Sequence, residues 1–479
     1  MLLFTPLQIK SMTLQNRLIL PAMVTRLSGE DGFVNKDIRD RYLRFAKGEA
    51  GLIVLEAMAV HSAKSGPLLR LSGDEYIPGL AALAKSIHDT SPCKVIPQII
   101  HFLKVARSGW RQKVKDVSKE EIHAIIDYYA AAAERARRAG FDGVELHMAH
   151  AYTVSSFLSM RNLRNDEYGR SLENRMRLMT EIIVKVRETI GNDFPLGIRF
   201  DGEECIKNGY ALLDSQQMAL RMAQLGVDYI SISAGGKFED AIQKPGAPLY
   251  PYTGYSGDRC MPSAVYPDMA NVYLSAGIKQ YVNEHGYTLP IVATGKIRTP
   301  QQAENVLQNG QADLIGMARA LLADPDLPKK IREGREDQII WCTYGNVCKN
   351  LDENFHKVTC VLWPKGSLQA PSSNDAIAPT WPGGAANLKA RYEMGQIFLS
   401  WNEATDNEYL YGYEIYRSAG DEYKHYASVK RTTYYDLNIV GGGTYRYYVV
   451  AYDLAGNRSL KSNAVEVSVP FPVPVEIHS

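Results

Sequence analysis

The chain has 479 residues, 45% of them hydrophobic and 22% charged, with a formal net charge of +1. That length calls for two or three domains with a sizeable core, and the balanced charge gives no reason to expect nucleic acid or a membrane surface as partner. No apolar run approaches the ~20 residues that span a bilayer, and six cysteines in so long a chain do not make a disulfide framework.

The N-terminus, MLLFTPLQIKSMTLQNR, lacks a charged region followed by a long apolar stretch, so no signal peptide is evident and a reducing, cytoplasmic setting is expected. One theme then repeats up to residue 321, a short apolar run followed by a polar or helical stretch. Eight runs are counted: RLILPAM (17–23), GLIVLEAMAV (51–60), KVIPQIIH (94–101), GVELHMAH (143–150), PLGIRF (195–200), DYISISAGG (228–236), PIVATGKI (290–297) and DLIGMARAL (313–321). Near-continuous apolar strands alternating with helices point to parallel βα units, and eight of them to an α/β fold, a closed (β/α)8 TIM barrel.

The helices between the runs carry their own punctuation. Ser118 with Glu121 forms a capping box ahead of EIHAIIDYYAAAAERARRAG, which Gly140 ends. Thr299 with Pro300 opens another helix, and Gly310 closes it. The long Gly-, Pro- and Tyr-rich stretch from Lys237 to Val265 reads as a substrate lid, with Tyr252 and Tyr255 available to a substrate.

The barrel is expected over 1–337, followed by a cysteine-containing segment over 338–364 and a Pro/Ser/Gly-rich linker over 365–383. Over 384–471 the pattern changes to short alternating strands with regularly spaced turns, which predicts a small all-β immunoglobulin-like sandwich. Trp401 and YRYYVVAYDLAGNRS there resemble a fibronectin type III module. Its aromatics read as core. Its expected role is contact or spacing, either in a homo-oligomer or toward another protein.

In a barrel of this kind, active groups lie at the C-terminal ends of the strands. Those ends are Met23 to Thr25, Glu56, Gln98 with His101, His147 with His150, Arg199, Ser233 to Gly235, Gly295, and Ala318 with Arg319. They are mostly polar or glycine although the runs are apolar, so they read as one site. The densest end sets His147, His150 and Tyr152 within six residues, and a loop must begin near Ala149 for all three to converge. The seventh and eighth ends, TGKI and GMAR, match the usual phosphate seat of such barrels. Gln98 and Arg199 suit a planar ring bearing carbonyls.

PLQIKSMTLQNRLILPAM, ELHMAHAY, FLSMRNLRNDEYGRSLENR and TGKIRTPQQAENVLQNGQADLIGMARALLADPDLP, in this order, resemble the old yellow enzyme family of FMN oxidoreductases. The similarity is to the branch with 2,4-dienoyl-CoA reductase and trimethylamine dehydrogenase. It implies that Pro21, Ala22 and Met23 line the flavin, that Gln98 and Arg199 contact its ring system with help from Lys104, and that Glu56 belongs to the same binding rim. Gly295, Ala318 and Arg319 would hold the FMN phosphate. His147 and His150 would bind an activating oxygen, and Tyr152 would donate a proton. NAD(P)H is the implied electron donor and a small enone-type molecule the implied substrate.

Departures from that pattern are specific. Ala151 and Arg170 stand where relatives usually have glycine; Ala151 is expected at ordinary backbone angles, and Arg170 to reach solvent or a partner. Val24 stands where some relatives carry Thr or Cys. Iron–sulfur relatives space four cysteines C-x2-C-x2-C-x11-C, whereas this chain has Cys342, Cys348 and Cys360 with Gly345 in the second ligand position. A four-iron cluster takes four ligands, so a remnant element without a cluster is favoured over a three-cysteine metal site. Cys93, Cys205 and Cys260 read as buried or inert thiols.

The expected activity is FMN-dependent reduction of the C=C bond of an α,β-unsaturated carbonyl compound. The runner-up is a dehydrogenase or enoyl reductase with a separate electron-transfer partner, and a third reading is an inactive barrel serving as a scaffold.

Overall fold

The computed structural model describes residues 1–63, 66–104, 112–206, 208–236, 257–264, 266–364, 376–407, 410–420, 422–429, 431–453 and 457–471. The expected lid residues Tyr252 and Tyr255 lie outside them. Among the described residues, no helix is long and apolar enough to cross a membrane. The chain divides into two compact units, one of residues 1–261, 268–341 and 352–358, the other of residues 262–267, 342–351 and 359–479.

The first unit opens with a short antiparallel hairpin, β1 (Leu7–Ile9) and β2 (Met12–Leu14). Eight parallel strands follow: β3 (Leu18–Leu20), β4 (Leu52–Ala59), β5 (Lys94–Ile100), β6 (Val144–Met148), β7 (Leu196–Asp201), β8 (Tyr229–Ser233), β9 (Ile291–Ala293) and β10 (Leu314–Gly316). They pair in chain order, and β10 closes on β3. Seven fall within one of the apolar runs, and β7 runs one residue past the fifth, to Asp201. Ile9, Met12 and Leu14 of the hairpin pack with Ile19, Leu52, Val54, Ile96, Val292 and Leu314 near the strand starts. The hairpin thus plugs the end of the barrel opposite the strand C-termini and leaves the other mouth for chemistry.

The local signals behave as their chemistry requires. Ser118 and Glu121 form a reciprocal capping box on helix Lys119–Arg138, and Thr299 and Gln302 do the same on helix Pro300–Gln308. Gly140 and Gly310, just past those helices, take φ of 79° and 65°, where a side chain would be strained.

In β4, Leu55 pairs with Pro97 but Met58 with Ile99, so Glu56 and Ala57 together oppose Gln98. An extra residue of this kind bends a strand and re-aims its side chains.

The second unit holds two antiparallel sheets. One orders β11 (Lys389–Glu393), β12 (Gln396–Ser400) and β15 (Thr433–Asp436); the other orders β14 (Lys424–Val429), β13 (Leu410–Ser418), β16 (Thr444–Asp453) and β17 (Val465–Ser468). Ile397, Leu399, Trp401, Tyr413, Ile415, Tyr447 and Val449 are buried, and the Trp401 and Tyr413 rings meet edge-on at 5.5 Å. The buried Asp436 carboxylate accepts from Tyr426 at 2.8 Å, Tyr447 at 2.6 Å, Arg417 at 2.8 Å and the Asn438 N–H at 3.0 Å. Those aromatics are core, as the alternation implied.

Candidate active site

His147 is the penultimate residue of β6, and the chain bends directly after the strand. His150 and Ala151 both take φ of 63°, which turns the backbone back and brings the His150 ring to 4.9 Å from that of His147. Ala151 is therefore not at ordinary angles. The left-handed region suits the glycine that relatives carry there and costs an L-residue about 1–2 kcal/mol. Arg170 is exposed, as expected, but it too sits in that region at φ 68°. Tyr152 caps the short helix Thr153–Leu158, with its ring 5.2 Å from His147 and 5.1 Å from Phe102. His147, His150 and Tyr152 do converge.

Two buried contacts hold the bend. Asp201, the last residue of β7, accepts the His150 backbone N–H at 2.7 Å, and its other oxygen lies 3.9 Å from His150 Nε2. Ser233, at the end of β8, pairs with His150 Nε2 at 2.7 Å and accepts from Arg199 at 3.3 Å. Gly236 lies so close that an added Cβ would fall 2.3 Å from the His150 carbonyl carbon. Asp201 was not among the expected site residues. It shares a strand face with Arg199, two residues back, so extending the fifth run by one residue on that parity would have found it.

Burial, with Arg199 close by, pulls the His147 imidazole down to about 3. Burial, reinforced by His147 and Arg199, holds His150 well below its ordinary value. Both rings are neutral at ordinary pH, and His147 Nδ1 is buried with no hydrogen-bond partner among the described residues. Burial also pushes the Asp201 carboxyl well above the usual range.

Gln98 and Arg199 stand on β5 and β7, on either side of the strand that carries His147. Gln98 donates to Glu145 at 2.6 Å, Tyr229 donates to the same carboxylate at 2.7 Å, and Arg199 donates to Ser231 at 2.8 Å. The Tyr229 ring crosses the interior over Gly197, where an added Cβ would lie 2.1 Å from it. Glu145 and Tyr229 were missed, although Glu145 alternates with His147 along one strand.

The β4 bulge decides the fate of Glu56. Its carboxylate accepts the Thr25 N–H and its own N–H donates to Tyr42 at 2.8 Å, so it braces from behind the loop that carries Pro21, Ala22 and Met23. Its Oε1 is buried with no partner among the described residues, and burial raises the carboxyl to about 7. The same loop is strapped on its other side. Thr25 accepts the Val358 N–H at 2.8 Å, Arg26 bonds Asp352 at 2.8 Å, and Phe355 lies under the Arg26 guanidinium at 4.5 Å. Residues 352–358 fall in the cysteine-containing segment expected over 338–364, but nothing local marks their contact with this loop. Lys104 does not reach the ring site: its ammonium pairs with Glu121 in an exposed position.

At the β9 and β10 ends, Gly295 takes φ of 106° and an added Cβ would meet Asn271 at 2.7 Å. Lys296 is buried beside Asp268 at 3.5 Å, and burial lowers its amine to about 8. Ala318 starts the helix that follows β10, and Arg319 beside it is buried. An open glycine turn with two cations at adjacent strand ends fits a phosphate, and the unpartnered His147 nitrogen fits a guest in the mouth. The residues present therefore fit FMN.

A four-iron cluster takes four ligands, and the segment offers three cysteines with Gly345 in the remaining position. Among the described residues, no three His, Cys, Asp or Glu side chains come together as a metal site, Gly345 supplies no ligand, and Cys342, Cys348 and Cys360 are partly buried. Of the remaining thiols, Cys93 is buried, and burial raises it to about 11.

The site is thus a closed parallel barrel with two neutral imidazoles at its mouth and two buried cations, Lys296 and Arg319, at adjacent strand ends. The family model described as NADH:flavin oxidoreductase / NADH oxidase matches residues 2–248 and 263–338. The chain belongs to that family, which contains the FMN oxidoreductases of the old yellow enzyme type. It is 32% identical over 426 residues to an NADH oxidase of Thermoanaerobacter brockii, covering 81% of this chain and 60% of that protein. It is 34% identical over 347 residues to an NADPH dehydrogenase of Bacillus licheniformis, covering 68% of this chain and 93% of that protein. The structure of a 2-naphthoyl-CoA reductase with 2-naphthoyl-CoA is similar at TM-score 0.65 and 26% identity, over 76% of this chain and 57% of that one. The chain spans about three fifths of the length of the first of these relatives.

Proposed function

We propose that the protein is an ene-reductase that reduces the C=C bond of an α,β-unsaturated carbonyl compound at the expense of NAD(P)H. When bound, FMN would supply the two-electron chemistry, hydride exchange between a nicotinamide and the substrate alkene. Pro21, Ala22 and Met23 would flank it, Gln98 and Arg199 would bind its carbonyl-bearing ring, and Gly295, Ala318 and Arg319 its phosphate.

The observation that carries this reading is the neutral imidazole pair with a phenol beside it. A neutral imidazole gives one N–H to an oxygen and costs no buried charge, so His147 and His150 orient the substrate carbonyl and stabilise the negative charge that develops on it. Neither ring holds a proton to spare at neutral pH. Tyr152 therefore supplies the α-carbon proton, a general-acid step that contributes on the order of 10²–10⁴-fold. Phe102 and His147, on either side of the Tyr152 ring, fix its direction.

The C-terminal module is proposed to be fibronectin type III-like and to serve contact or spacing. Among the described residues, its seven strands in sheets of three and four support this. The test of the enzyme reading is anaerobic: NADH or NADPH bleaches the flavin of the purified protein, and an added enone then restores its colour. A protein bleached by nicotinamide but indifferent to a panel of enones would refute ene-reduction.

A further inference from the structure

We infer that the turn at residues 342–346 is a seat for strand β14 of the C-terminal module, and that Gly345 is required by that packing and does not mark a lost metal ligand. The argument is independent of the proposed activity. A Cβ added at Gly345 would fall 2.5 Å from Ser428 Cβ, 3.0 Å from the Ser428 carbonyl oxygen and 3.2 Å from its carbonyl carbon. Ser428 is buried in β14 and paired with Glu414 of β13. Its Cβ moves only with the strand backbone, so no rotamer change makes room.

The rest of the turn is shaped to this approach. Tyr344 and Asn346, on either side of Gly345, take φ of 55° and 58°, which brings the glycine against the strand. Ser428 donates to Thr343 Oγ1 at 3.2 Å and shares a contact with His425 at 3.1 Å. Tyr344 is buried, and its carbonyl accepts the Ala264 N–H at 3.0 Å. Cys342 Sγ accepts the Tyr344 N–H at 3.4 Å, a bond inside the turn. The place where a fourth cysteine would complete the C-x2-C-x2-C-x11-C spacing is therefore filled by another part of the protein. A cysteine there would need the strand to move before it could bind iron.

The test uses full-length protein with Gly345→Ala, Gly345→Cys, Ser428→Gly and the Gly345→Ala/Ser428→Gly double variant. Thermal unfolding is followed, and iron is assayed after anaerobic reconstitution with iron and sulfide. Gly345→Ala and Gly345→Cys are expected to lower the melting temperature. The loss from Gly345→Ala should shrink when Ser428→Gly removes the opposing Cβ, and Gly345→Cys should bind no more iron than the unaltered protein. If Gly345→Ala proves insoluble, recovery of soluble protein in the double variant carries the same meaning. The inference is overturned if Gly345→Ala melts unchanged, if Ser428→Gly gives no relief, or if Gly345→Cys takes up about four irons per chain.

Discussion

Asp201 accepts the backbone N–H of His150 at 2.7 Å from the end of the neighbouring strand. That contact pins a left-handed residue which also carries one of the two site imidazoles. Backbone geometry and ring placement at His150 therefore depend on one buried carboxyl. Asp201→Ala leaves a buried N–H unsatisfied and should cost about 1–3 kcal/mol of stability, while Asp201→Asn, which keeps an acceptor, should cost much less. Denaturant unfolding of both variants checks this, and equal stability of Ala and Asn would remove the anchor from the account.

Tyr152→Phe should slow alkene reduction by roughly 10²-fold or more while nicotinamide reduces the flavin at its former rate. Stopped-flow measurement of the two half-reactions separates them. Parallel loss in both would mean that the phenol shapes the pocket and donates no proton.

The pH profile of alkene reduction should show no step near the ordinary imidazole value of about 6.5. His147 is held at about 3 and His150 well below its ordinary value, chiefly by burial, so both stay neutral from neutrality down into the acid range. Conversely, the unfolded chain gains these protons first as pH falls below about 6.5. Their contribution to stability is thus present above that pH and is lost toward the folded values. A rate profile that steps near 6.5 and vanishes in His147→Asn would contradict the neutral pair.

Glu56 predicts the opposite slope. Its folded carboxyl is raised to about 7 by burial, from an ordinary 4.5, so between these values the folded state binds more protons and stability falls as pH rises. Above about 7 the penalty is complete, at about 3 kcal/mol by linkage. Glu56→Gln has no charge to bury. Its stability relative to the unaltered protein should climb between pH 4.5 and 7 and then level off, and a pH-independent difference would show that the carboxyl does not titrate there.

Ala151→Gly should stabilise the protein by up to about 1 kcal/mol, since glycine is unstrained at φ 63° but loses more entropy on folding. Ala151→Val should do the reverse. A shift in unfolding midpoint at constant slope is the readout.

Much of this was written along the chain. Eight apolar runs, helix caps at Ser118 and Thr299, and polar residues gathered at run ends are local features, and the C-terminal ends of the runs alone picked out Gln98, His147 and Arg199. What the sequence by itself determined is therefore the barrel and the roll of residues at its mouth. Tertiary structure decided where several of them point. The extra residue in β4 turns Glu56 behind the Thr25 loop, residues 352–358 strap that loop from far along the chain, and Gly345 is shaped by Ser428, 83 positions away. Periodicity reports how a residue faces its own element. It carries no information on register between strands or on which distant backbone comes within a Cβ of it, and those two quantities fix a side chain's work.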